Sequence, residues 1–136
     1  MIPVALIAAL ISVESGGDDL AINRAEQAIG CLQIRPAIIW DVEKILGRTI
    51  SQHVAYDREA SIEILEFYLG HYATPALLGH EPTVEDMARI WNGGPDGWKK
   101  PETVIYWHKV KHTMDAQARA ARLAEIRKGV VLEARP

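Results

Sequence analysis

Apolar residues recur at helical spacing through most of the chain, and alternating strand patterns are scarce. The first helix is expected over residues 2–15. It is apolar all round, which predicts a central, buried position. Gly16 and Gly17 end it, because glycine readily takes the left-handed conformation that closes a helix. Residues 18–34 read as loop or short irregular structure. Pro36 suits the first turn of a second helix, which runs to about Leu46 and stops at Gly47. Asp57 suits the N-cap of a third helix through Tyr72, with Ile62, Leu65, Leu69 and Tyr72 on one stripe. Thr83 and Asp86 have capping-box spacing for a fourth helix, whose core face is Val84, Met87, Ala88 and Trp91. A breaker cluster follows at residues 92–97. A last helix begins near Thr103, and the Ala/Arg-rich residues 113–128 either extend it or form a loosely packed tail. With no repeat and no linker, the fold class is a mainly α single domain.

Composition narrows the function classes. A length of 136 residues suits one core. A net charge of −3 leaves no basic excess for nucleic acid or an anionic membrane surface. The lone Cys31 excludes an internal disulfide and a thiolate zinc cluster. The apolar run 2–13 is shorter than the about 20 residues a membrane-spanning helix needs. No Lys or Arg precedes it and no small-x-small site follows, so no export signal is visible.

Glu14 stands out. It lies in the last turn of an apolar helix, on the face of Ile7, Leu10 and Ile11. Burial among apolar side chains and the negative end of the helix dipole both disfavour its charged form. A carboxylic acid still protonated near neutral pH can protonate a leaving glycosidic oxygen. The alternative is an ordinary solvated glutamate at a helix end.

Four motifs extend this reading. They are Glu14-Ser15, Gly30-Cys31-Leu32-Gln33-Ile34, Trp91-Asn92-Gly93-Gly94, and Tyr106-Trp107-His108-Lys109-Val110. In this order they resemble the soluble lytic transglycosylase family, which shares the goose-type lysozyme fold. The resemblance covers roughly residues 5–112. It departs from the family pattern at Cys31, at Leu32, and at Trp91, which stands where the family has a tyrosine. It implies a lysozyme-like transglycosylase domain over 1–112, with 113–136 a helical extension or tail of the same domain.

The resemblance implies cleavage of the β-1,4 bond between N-acetylmuramic acid and N-acetylglucosamine in peptidoglycan glycan strands. Glu14 is then the catalytic acid and base. Ser15, Asn23, Gln33, Trp91, Asn92, Gly93 and Tyr106 are substrate-binding residues, and the product is a 1,6-anhydro sugar. No cofactor and no metal are implied. A muramidase on the same fold is the alternative. If inverting, it needs a second carboxylate about 6.5–9.5 Å away, for which Asp18, Asp19 and Asp96 are candidates. Their other reading is turn and cap chemistry. A non-catalytic glycan-binding component of a phage or secretion apparatus is a third reading. The expected place of action is the bacterial cell wall, with phage delivery suiting the missing export signal. His108 and His112 have ligand spacing, but Lys109 replaces the glutamate of the zinc-protease motif. Residues 92–97 lack the Gly-Lys-Ser/Thr ending of a phosphate loop, and Ser12 and Ser15 lack a nucleophile elbow.

Overall fold

The computed structural model describes residues 1–133 of the chain, with side-chain surroundings through Gly129. It is a mainly helical single domain. Helix α1 (Val4–Ser15) leads into a two-residue antiparallel ribbon, β1 (Ile22–Asn23) and β2 (Ala28–Ile29), which places Ile22 opposite Ile29 and Asn23 opposite Ala28. Helix α2 (Pro36–Leu46), a 3-10 turn (Gln52–Tyr56) and helix α3 (Arg58–Tyr72) follow. A single-turn α4 (Pro75–Leu78) precedes α5 (Val84–Gly93), two further 3-10 turns, and the long α6 (Val104–Glu133). No helix among the described residues is long and apolar enough to cross a membrane.

Local chemistry explains the boundaries. Asp57 Oδ1 accepts from the Ala60 N–H at 2.9 Å, which caps α3. Thr83 and Asp86 exchange both bonds of a capping box at the start of α5. Gly47 closes α2 at φ 69°. The core joins Leu6 and Leu10 of α1, Val42 of α2, Leu65 and Leu69 of α3, Ile90 of α5 and Val110 of α6. Leu32 and Ile34 wedge in from the segment after β2.

Two expectations need correction. Helix α1 is not buried all round: it packs mainly against α6, and Val4, Ala5, Ala8 and Ser12 face solvent. One face is enough to bury Leu6, Leu10 and Ile11, and alanine and valine tolerate the exposed side. On α3, Ile62 and Tyr72 are only half-buried, while Ile64 and Tyr68 complete the buried stripe. The Ala/Arg-rich segment continues α6 without a break, and residues 115–128 are exposed. Residues 134–136 of the expected extension lie outside the described residues.

Candidate functional site

The site is built at the C-terminal end of α1. Gly16 takes φ 64° and donates its N–H to the Ser12 carbonyl at 2.9 Å, so the chain turns away one residue after Ser15. The Ser15 hydroxyl donates to the Cys31 carbonyl at 2.8 Å and accepts the Gly17 N–H at 3.2 Å. Ser15 thereby ties the helix end to the segment after β2. Glu14, one residue earlier, points inward.

Glu14 is held by residues far away in sequence. Tyr106, near the start of α6, donates its hydroxyl to Glu14 Oε2 at 2.8 Å. Burial raises the Glu14 pKa from an ordinary 4.5 to about 7. The Tyr106 hydrogen bond, the Arg35 charge and the Trp91 indole N–H oppose that rise, while the negative charge of Glu26 adds to it. The Tyr106 phenol is pushed well above its ordinary value, first by burial and then by the adjacent Glu14, so it remains a donor. Trp91 is buried and stands edge-on to Tyr68, with ring centroids 5.6 Å apart. A carboxyl titrating near pH 7 in this setting can hold or release a proton, and when neutral it can donate a hydrogen bond.

A cleft lies between the start of α2 and the end of α5. Arg35 Nη2 donates to the Asn92 carbonyl at 3.1 Å and joins the start of α2 to the end of α5. The cavity there measures ≈ 360 Å³, and its walls include Arg35, Asp41, Tyr68, Asn92 and Gly93. Arg35 links the two parts, since it lines the cleft and its charge acts on Glu14. Lys100 Nζ donates to the Gly93 carbonyl at 2.7 Å and braces the wall from behind. A side chain at Gly93 would run into Thr103, so the wall needs glycine there.

The fold brings Glu14, Trp91 and Tyr106 together and sets Asn92 and Gly93 on the cleft wall. The remaining expected contacts are engaged elsewhere. Asn23 is exposed on β1, where its Oδ1 accepts the Glu26 N–H at 3.3 Å. Gln33, at φ 51°, donates its amide to the Ala21 and Gly30 carbonyls. Asp18 closes an Asx turn onto the Leu20 N–H at 2.9 Å. Asp19 pairs with Arg58 at 2.8 Å, and Asp96 sits 3.5 Å from Lys99. The carboxylate whose charge bears on Glu14 is Glu26, which sequence reasoning passes over. Arg35 is also missed, although it is the only charged residue between Ala28 and Trp40. His108 and His112 are exposed on α6, and among the described residues no three metal-ligating side chains gather.

No protein-family model and no curated protein matches the chain. A solved structure does: the crystal structure of Aeromonas hydrophila PliI in complex with Meretrix lusoria lysozyme. The match has a TM-score of 0.69 at 24% identity and covers 82% of this chain and 89% of that one. At that identity the likeness shows the fold alone.

This finding overturns the family expected from the four motifs. The structural likeness leads to a PliI–lysozyme complex and not to a soluble lytic transglycosylase, and no model of that family matches. The transglycosylase, the muramidase alternative and the designation as an enzyme rested on that family and are withdrawn with it, as is the phage or secretion-apparatus role. The physical reason lies in the motif residues, several of which have backbone duties of their own. Gly30 sits at φ 81° with no room for a side chain against Ala55. Gln33 ties two carbonyls, Ser15 ties a third, and Asn92-Gly93-Gly94 ends α5. Short motifs of this kind follow from local geometry as readily as from a shared activity.

Proposed function

We propose that the chain is a glycan-binding protein whose cleft takes peptidoglycan strands at the bacterial cell wall. The observation that carries this reading is the partly buried Glu14 carboxyl, its pKa raised to about 7, together with a cleft walled by Asp41, Tyr68, Asn92 and the same Arg35 whose charge acts on Glu14. Amide-bearing sugars offer hydroxyl, ether and amide groups. In the cleft Arg35 and the Asn92 side-chain amide supply donors for their oxygens, and Asp41 supplies an acceptor for hydroxyl and N–H groups. The cleft is concave and mixes aromatic, apolar and a few charged side chains, the usual character of a small-ligand site.

A second reading comes from the structural neighbour, in which PliI and a lysozyme bind each other. On that reading the same face of this chain meets a protein partner of wall lysis.

Nuclear magnetic resonance titration separates the two. Soluble glycan fragments should shift the backbone amides of Arg35, Asn92 and Gly93, and the fragments should be recovered unaltered. Shifts produced by a lysozyme and not by glycan would favour the protein partner. Shortened strands that depend on Glu14 would overturn a purely binding role.

A further inference from the structure

Trp40 is the one tryptophan that does not join the core. Trp91 is buried in it, and Trp98 and Trp107 pack against it, whereas Trp40 is 66% exposed on the outer face of α2. An indole left in water is a large apolar surface without a partner. It borders a shallow depression of ≈ 500 Å³ with Glu43, Lys44 and Arg48. The Glu43 carboxylate accepts the Ile50 N–H at 2.9 Å, so it closes the turn after α2. Among the described residues Lys44 and Arg48 make no ion pair. The depression therefore offers a flat aromatic face flanked by two uncommitted cations.

Its position gives the occupant. Ala37 and Asp41 line the cleft described above, and Trp40 and Lys44 line this depression. Both pairs stand on consecutive turns of α2, and Ala37 and Lys44 are about 10 Å apart along the axis. Lys44 continues the Ala37–Asp41 row of α2, so a chain leaving the cleft along the helix reaches the rim of the depression that Trp40 borders.

We infer that Trp40, Lys44 and Arg48 form a second saccharide-binding site, which takes the continuation of an acidic glycan strand held in the cleft. The indole stacks on a sugar face, and the two cations meet carboxylates of the strand's peptide substituents. The inference rests on the glycan reading of the cleft.

The test compares two ligands on the full chain by calorimetry: a disaccharide-peptide that fills the cleft, and uncrosslinked peptidoglycan strands long enough to reach Trp40. Trp40→Ala should weaken long-strand binding about tenfold and leave the short ligand unchanged. Trp40→Phe should recover part of the loss, and Lys44→Glu with Arg48→Glu should weaken the long strand again. Equal long-strand affinity in wild type and Trp40→Ala overturns this second site while the cleft stands. Failure of the wild-type chain to bind either ligand overturns the cleft reading itself. Loss of binding to phosphatidylglycerol vesicles in Trp40→Ala, with glycan binding untouched, would make the patch a lipid contact and also overturn the inference. Because Trp40 is exposed and lies outside the core, its replacement should leave the fold intact, which circular dichroism checks.

Discussion

The Tyr106 hydroxyl donates to Glu14 Oε2 at 2.8 Å across 92 positions of sequence, joining the end of α1 to the start of α6. The bond favours the charged carboxylate, whereas burial favours the neutral acid, and burial wins: Glu14 titrates at about 7. Removing the donor should move the balance further. Tyr106→Phe is expected to raise the Glu14 midpoint above its wild-type value. Glu26→Gln should lower it, because the Glu26 charge is one of the groups pushing it up. Carboxyl carbon shifts followed through a pH titration measure both. An unchanged midpoint in Tyr106→Phe would mean that the hydrogen bond does not tune Glu14.

The same shift makes stability depend on pH. The folded-state pKa of about 7 lies above the ordinary 4.5 of an unfolded chain, so between those values the native state binds more protons. The stability tied to the neutral carboxyl is fully present below pH 4.5 and is lost as the pH rises through about 7. The full span is at most about 3 kcal/mol. Urea denaturation between pH 4 and 8 should show this decline in wild type, and Glu14→Gln should flatten the part due to this residue. A wild-type curve that rises through the window would contradict the assignment.

The turn after β2 sets a different test. Gly30 and Gly16 both hold positive φ, at 81° and 64°, but only Gly30 has a neighbouring backbone in the way, the carbonyl of Ala55. Gly16→Ala should cost roughly 1–2 kcal/mol, the usual penalty for a left-handed residue. Gly30→Ala should cost distinctly more, since the 3-10 turn carrying Ala55 must also move. Chemical denaturation of the two variants side by side gives the comparison, and equal losses would mean the close approach at Ala55 does not matter.

These positions also show what the sequence makes legible. Helices α2, α3 and α5 announce themselves through Pro36 and Gly47, Asp57, and the Thr83–Asp86 pair, because caps are local chemistry within a few residues. The ribbon of β1 and β2 is two residues per strand, too short for alternation to register, and α4 is a single turn. Glu14 is recognisable from an apolar helix ending in an acid. Tyr106 is recognisable as part of an aromatic motif, but its duty is not, since contact with Glu14 is created only when α6 packs on α1. Arg35 carries no motif at all, and its link to Asn92 exists only once α2 meets α5. Asn23, Gln33 and Ser15 show the converse: their residue types suit a sugar site, and the fold commits their polar atoms to backbone.

The cleft wall provides a further test. Arg35→Ala removes the tie to the Asn92 carbonyl and a positive charge facing Glu14. Glycan affinity should fall about tenfold or more, as expected for a half-buried charged contact. The Glu14 midpoint should rise in the same variant. Loss of affinity without any change in that midpoint would separate the cleft from Glu14.

On the proposed reading a glycan strand binds in the cleft whose Arg35 also acts on Glu14, a carboxyl with its pKa raised to about 7. Calorimetric titration of purified peptidoglycan strands into wild type and Glu14→Gln, at pH 6 and pH 8, tests it most directly. Saturable binding by wild type should weaken from pH 6 to pH 8 as Glu14 ionises, and binding by Glu14→Gln should vary much less with pH. Absence of binding at both pH values, or wild-type and Glu14→Gln binding with the same pH dependence, would contradict it.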